Sequence, residues 1–254
     1  MRAFLKITLP AAAFALLGIH LSYPAQYGSA KPTKSEIGAA AALTRLGVPL
    51  QHDARGVVRW IEATKGEMND EAMRHLPELP GLEWLEIGGG KVTPSGIANL
   101  KNCRSLRRLY VHDISLGGDA LPWLSNLTKL EALSLQRTGI DGSILKNLKA
   151  PDLVVLNLSG DKIGDADMDQ IAPIKDLEVL ALADTKISGA GIAKLEGMNR
   201  LNELNLMNCD ILDGDLECFL SMPNLRIVYA AGCKLSDIAV QNVVARFPML
   251  AIFR

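Results

Sequence analysis

A six-residue pattern, Leu-x-x-Leu-x-Leu with aliphatic replacements, recurs along most of the chain at a nearly constant interval. Its register starts are Val58, Leu82, Leu106, Leu130, Leu153, Leu177, Leu201, Leu225 and Leu250, spaced 24, 24, 24, 23, 24, 24, 24 and 25 residues apart. A period in this range limits the fold to stacked, self-similar units. The clearest copies are LEWLEI from Leu82, LRRLYV from Leu106, LEALSL from Leu130, LVVLNL from Leu153, LEVLAL from Leu177 and LNELNL from Leu201. Ten positions after a start comes another apolar residue, as in Val92, Leu116, Ile140, Ile163, Ile187, Ile211 and Leu235.

The fourth and sixth positions of each copy alternate with polar neighbours, which predicts a short strand with one face on a core. Eleven residues past each start stand Asn69, Thr93, Gly117, Asp141, Gly164, Ser188, Leu212 and Ser236. These are mostly turn or helix-capping types; Leu212 is the exception, and Asp213 beside it is expected to serve instead. Apolar residues then return three apart, as in Ile97, Leu100, Cys103 and in Leu121, Leu124, Leu127, which predicts a short helix. One unit buries about six aliphatic side chains at roughly 1.5–3 kcal/mol each. Ordering its two dozen residues costs ~1–2 kcal/mol apiece. A lone unit is therefore unstable, and stacking is compulsory. Helices are wider than strands, so the stack curves with a parallel sheet inside the bend. The aliphatic composition suits such an interchangeable core, because aromatics make up only 5% of the chain while apolar residues make up 48%.

These copies and their period resemble leucine-rich-repeat proteins over roughly residues 57–254. The resemblance implies an α/β solenoid with a curved parallel sheet on the concave face and short helices on the convex face. It would hold about eight full repeats and a terminal strand. The segment IGAAAALTRLGVPLQHDARGVVRWI from Ile37 is similar to the lead-in of secreted bacterial members. Residues 31–56 are accordingly expected to form an N-terminal cap, with a helix over Ser35 to Leu46 and an edge strand over Val48 to His52. A turn through Asp53, Ala54, Arg55 and Gly56 would follow, and the cap would cover the apolar end of the first repeat.

Residues 1–30 carry Arg2 and Lys6 and then no charged residue until Lys31, with an apolar run from Ile7 to Leu21. They read as a signal peptide, with Gly28, Ser29 and Ala30 supplying small residues for cleavage before Lys31. An uncleaved N-terminal anchor is the alternative, since the stretch is long enough to cross a bilayer core of about 30 Å. The expected location is secreted, periplasmic or cell-envelope, with membrane anchoring through this segment if it is retained.

Lys and Arg number 27 against 28 Asp and Glu, so no basic surface for nucleic acid is expected. The run from Ile87 to Thr93 contains Gly88, Gly89, Gly90 and Lys91 but lacks the spacing of a phosphate-binding loop. Asp165, Asp167 and Asp169 mimic the start of a calcium loop without its glycine and final glutamate, and read as a solvated helix N-terminus. His20, His52, His75 and His112 are scattered, and no nucleophile elbow or zinc spacing occurs. No cofactor, metal or catalytic residue is expected. Cys209 and Cys233 share one slot of the repeat. Two inward packing thiols or a bridge between adjacent repeats both fit that placement.

The third, fifth and seventh positions of each unit are expected to face the concave surface. At its N-terminal end they bring together Trp60, Glu62, Trp84, Glu86, Arg108, Tyr110 and His112. Trp, Tyr and Arg are the residues that concentrate binding energy at interfaces, so this group is the candidate partner site. Packing of Trp60 and Trp84 on the cap or on each other is the competing account. Farther along, Ala132, Val155, Val179 and Ala181 form a small apolar strip, a candidate contact surface. The function expected is a non-enzymatic, exported protein-interaction scaffold with a protein partner on the concave face and no small-molecule cofactor. Self-association through the C-terminal edge, near Leu250 and Phe253, is a further expectation. The alternatives are a substrate-recognition subunit of a ubiquitin ligase, a role of some leucine-rich-repeat proteins, and a carbohydrate-active hydrolase using Glu62 and Glu86.

Overall fold

A computed structural model describes residues 31–117 and 121–254. The signal-peptide expectation for residues 1–30 lies outside the described residues. Pro32–Arg254 form one compact unit.

Ten strands make one sheet in strict chain order. They are β1 (Leu50–His52), β2 (Val58–Ala63), β3 (Trp84–Gly88), β4 (Arg108–His112), β5 (Ala132–Ser134), β6 (Val155–Asn157), β7 (Val179–Ala181), β8 (Glu203–Asn205), β9 (Ile227–Tyr229) and β10 (Ala251–Phe253). The first pair, β1 with β2, is antiparallel, and every later pair is parallel. The fourth residue of each repeat meets its equivalents in register: Leu85, Leu109, Leu133, Leu156, Leu180 and Leu204 form one row. All six are fully buried. One spine of interchangeable aliphatic side chains therefore runs the length of the solenoid, and its strand neighbours face the other way.

Ahead of the repeats, α1 (Lys34–Arg45) begins at Thr33, whose Oγ1 accepts from Glu36 N–H. Buried Glu36 in turn accepts from Val58 N–H through Oε1 at 3.3 Å, which fastens the helix to the first repeat. The edge strand is shorter than its sequence implies. Val48 donates its N–H to Leu43 O at 3.0 Å and buries its side chain in the core, so it closes the helix and pairing starts only at Leu50. Asp53 shapes the turn that follows, accepting from the N–H groups of Arg55 and Val57 and from the guanidinium groups of Arg55 and Arg59. Burial alone would push the Asp53 carboxyl up, but these donors together hold it well below the usual carboxylate range.

On the convex side the expected short helices are only partly α. Single α turns occur at α2 (Asp70–Met73), α3 (Pro94–Ile97), α4 (Met168–Ile171) and α5 (Gly189–Ala193), and the longer α6 (Asp237–Arg246) precedes β10. Elsewhere the return is 3-10 helix, as at Ala98–Asn102, Pro122–Asn126, Gly142–Asn147 and Asp213–Ser221.

The aspartates of these turns are structural. Asp165 accepts from both the N–H and the Oγ of Ser188 in the next repeat, at 2.8 and 2.6 Å. Asp70 does the same for Thr93, and Asp213 for Ser236. Where the cap residue lacks a useful side chain, a later aspartate takes over: Asp167 accepts from Gly164 N–H and Asp215 from Leu212 N–H. Asp169 pairs with Lys194 at 2.8 Å. The three aspartates near 165 lie in the first turns of a short helical segment, as expected, with Asp169 exposed, and each has its own partner. Asp213 braces the next repeat and does not replace Leu212 as a cap.

Candidate partner-binding face

Strand register assembles the inner face from rows of side chains. Trp60, Trp84 and Arg108 are consecutive in the third-position row, Glu62, Glu86 and Tyr110 in the fifth, and Gly88 and His112 in the seventh. All seven candidate residues therefore occupy three neighbouring strands, β2 to β4. Glu62 is exposed, and the other six are half-buried. Trp84 is the hub. Its ring lies 5.7 Å from that of Tyr110 with the planes tilted by 45°, and Arg108 Cζ sits 5.1 Å from its centroid. That distance is within the range of a cation–π contact. The register also sets Trp60 beside Trp84.

The charged residues form a second, continuous group. His112 packs flat against Gly88; a Cβ built on Gly88 would come 2.0 Å from His112 Cε1. The missing side chain makes room for the ring, which places Nδ1 3.1 Å from Asp113 Oδ2 and Nε2 3.9 Å from Glu86 Oε1. Burial and the neighbouring charge of Glu62 push the Glu86 carboxyl up, and His112 partly offsets them. Asp113 behaves in the opposite way. The Arg137 guanidinium, donating at 2.6 and 2.8 Å, holds its carboxyl down at about 2 against burial, with help from His112.

Asp113 and Arg137 are absent from the site as read from sequence, although a signal for them exists. Both stand seven residues after a repeat start, together with Lys65, Gly89, Gly160, Asp184, Asn208 and Gly232, and every member of that column except Lys65 has a positive φ. Gly, Asn and Asp are the residues that adopt this left-handed conformation most readily. Arg137, with φ of 54°, is the exception, and its ion pair with Asp113 ties two successive rim turns together.

The middle of the face differs from expectation. Ala132, Val179 and Ala181 are buried and Val155 is half-buried, so they are not an exposed apolar strip. Small side chains about 4.8 Å from larger register neighbours are shadowed by them; Ala181 lies between Asn157 and Asn205, and Ala132 between Arg108 and Val155. Beyond them Glu203, outside the site expected from the sequence, is buried on the same face.

The cysteine slot resolves into a polar ladder. Cys209 Sγ donates to Leu182 O and Cys233 Sγ to Leu206 O, both at 3.1 Å, and all four cysteines of the described residues are free thiols. Thr138 and Thr185 fill the same slot and donate to Leu135 O and Leu182 O. Burial pushes the Cys103 thiol up to about 12. Among the described residues, no group of three or more His, Cys, Asp or Glu is placed to hold a metal ion. No helix among them is long and apolar enough to cross a membrane.

No protein-family model matches the chain. Over 150 residues, 56% of its length, it is 26% identical to Podocan of Mus musculus, and it spans about a quarter of that relative, 24%. Among solved structures it is similar to an internalin C2 of Listeria monocytogenes, with a TM-score of 0.59 and 18% identity over 89% of this chain and 98% of that one. The repeat register holds strand by strand and the structural likeness extends along nearly the whole chain, which makes this a leucine-rich-repeat protein in its fold.

Proposed function

We propose that the chain is an exported, non-enzymatic scaffold that binds a protein partner on its inner sheet face. The observation that carries this reading is the cluster on β3 and β4, where Trp84 holds Tyr110 against one part of its ring and Arg108 over its face. Large, rigid aromatic surface beside a cation is the chemistry of an interface hot spot, because it buries much area at little entropic cost. The Glu62, Glu86 and His112 group adds polar specificity at the edge of that cluster. Export rests on residues 1–30, with their charged start and apolar run.

The test is chemical crosslinking of the full chain to its partners in the source cells, followed by mass spectrometry. Crosslinks are expected to map to β2 to β4 and to vanish in a Trp84→Ala, Arg108→Ala variant that melts like the parent. Undiminished crosslinking in that variant would refute the assignment. One observation favours a second reading as a hydrolase: Glu62 and Glu86 are register neighbours, about 4.8 Å apart by strand spacing. Retaining glycosidases use two carboxyl groups that face one substrate. Turnover of a glycan by the parent, lost in Glu86→Gln, would favour it over the scaffold.

A further inference from the structure

Burying a polar atom without a partner costs free energy, so each such atom in a folded chain calls for a reason. Trp84 Nε1, Gln136 Oε1 and Glu203 Oε1 are buried atoms with no hydrogen-bond partner. All three side chains belong to the inner face: Trp84 and Glu203 in the third-position row, and Gln136 two residues beyond Ser134 of the fifth. One is a donor and two are acceptors.

Glu203 is the costliest of them. It is only 5% exposed, and its strand places it between Val179 of β7 and Ile227 of β9, neither of which carries a charge. Its neighbour on the core side, Leu204, is fully buried in the spine, which aims Glu203 at the inner face. Burial raises its carboxyl to about 6, and burial together with this carboxylate raises the nearby Tyr229 hydroxyl. A carboxylate walled by aliphatic side chains is complementary to lysine or arginine, whose methylene stem packs on the walls while the head meets the charge. Across the inner-face rows, Glu62, Glu86 and Glu203 stand against Arg108 as the fixed charges, so the surface favours a cationic guest.

We propose that the inner face binds an extended peptide segment of the partner, with a lysine or arginine of that segment seated on Glu203. This rests on the scaffold reading above and adds the chemistry of the guest. A peptide backbone presents both an acceptor for Trp84 Nε1 and donors for Gln136 Oε1. From β3 to β8 is five strand spacings, about 24 Å, which an extended chain crosses in about seven residues.

The full chain is used to select binders from a randomised heptapeptide display library, and the recovered sequences are synthesised with a fluorescent label. A basic residue at one fixed position is expected. Replacing it with norleucine should weaken binding at least tenfold on the parent and less than twofold on Glu203→Gln, an isosteric variant that removes a buried charge and so preserves folding. Peptides weakened by the Trp84→Ala, Arg108→Ala variant but equally sensitive to norleucine on parent and Glu203→Gln would overturn the Glu203 assignment and leave the scaffold reading intact. Peptides indifferent to both variants would overturn the two together. Recovery of no peptide, or of peptides without a basic preference, would also overturn the proposal.

Discussion

Asp161 occupies the slot that elsewhere in the solenoid holds Thr138, Thr185, Cys209 and Cys233, and it is the one carboxylate in that column. It is buried, and its Oδ1 accepts from the N–H groups of Thr138 and Gly139 at 2.8 and 2.7 Å. Its Oδ2 is buried with no partner. Burial is the larger influence and lifts the carboxyl from 3.8 to about 6, against the pull of the three backbone donors, Thr138, Gly139 and Ile140. The folded chain therefore holds this proton more tightly than the unfolded chain does. The contribution to stability is fully present below pH 3.8, declines as the pH rises, and is gone above about 6. At ~1.4 kcal/mol per pH unit, the gap corresponds to at most about 3 kcal/mol. Asp161→Asn keeps the accepting oxygen and replaces the unpartnered oxygen with an uncharged amide. It should be more stable than the parent at pH 7.5 by up to that amount, with the advantage shrinking towards zero by pH 4. Urea unfolding of both proteins at a series of pH values measures the difference, and every other titrating group cancels in it. A gain that does not vary with pH, or a less stable variant at pH 7.5, would refute the assignment of the strain to a buried charge.

Asp165→Ala removes both bonds to Ser188 and frees the cap of α5, so a loss of about 1–2 kcal/mol is expected in urea unfolding; Asp165→Asn, which still accepts, should lose less. Gly88→Ala places a methyl where the His112 ring lies. The His112 imidazole resonances should shift on that substitution while the melting temperature falls by only a few degrees, and unchanged resonances would show that the glycine does not position the ring.

The period and the spine were legible because they obey one rule repeated many times: an aliphatic side chain at a fixed place in each unit must meet its equivalent 4.8 Å away. The seven candidate residues followed from strand alternation alone, and register puts them on three adjacent strands. What stayed hidden depended on contacts between units. Nothing within one repeat reveals that Asp165 serves Ser188, a partner 23 residues on, or that Gly88 makes room for His112. The 3-10 returns were not legible, because apolar residues three apart accompany both α turns, as at Met168 and Ile171, and 3-10 turns, as at Leu121 and Leu124. The rim pair Asp113 and Arg137 was half legible: the column of Gly, Asp and Asn marks a left-handed turn, but only the fold shows that an arginine in that column reaches back one repeat.

Among the described residues, three of the five buried polar side-chain atoms without a partner lie on the inner face of this solenoid, at Trp84, Gln136 and Glu203. The core rows are aliphatic and fully buried, and on the convex side Asp70, Asp165 and Asp213 each satisfy a neighbouring cap, while Gln170 Oε1 there is buried without a partner. On the inner face the logic reverses. Glu62 and Glu86 set like charges side by side, Trp84 and Gln136 bury polar atoms without partners, and Glu203 buries a carboxylate between aliphatic walls. None of these choices is required by the repeat, because the same positions in other units hold Ala, Ser or Val. On the binding role proposed above, a partner would return that energy by supplying the donors, acceptors and cation that the chain itself withholds.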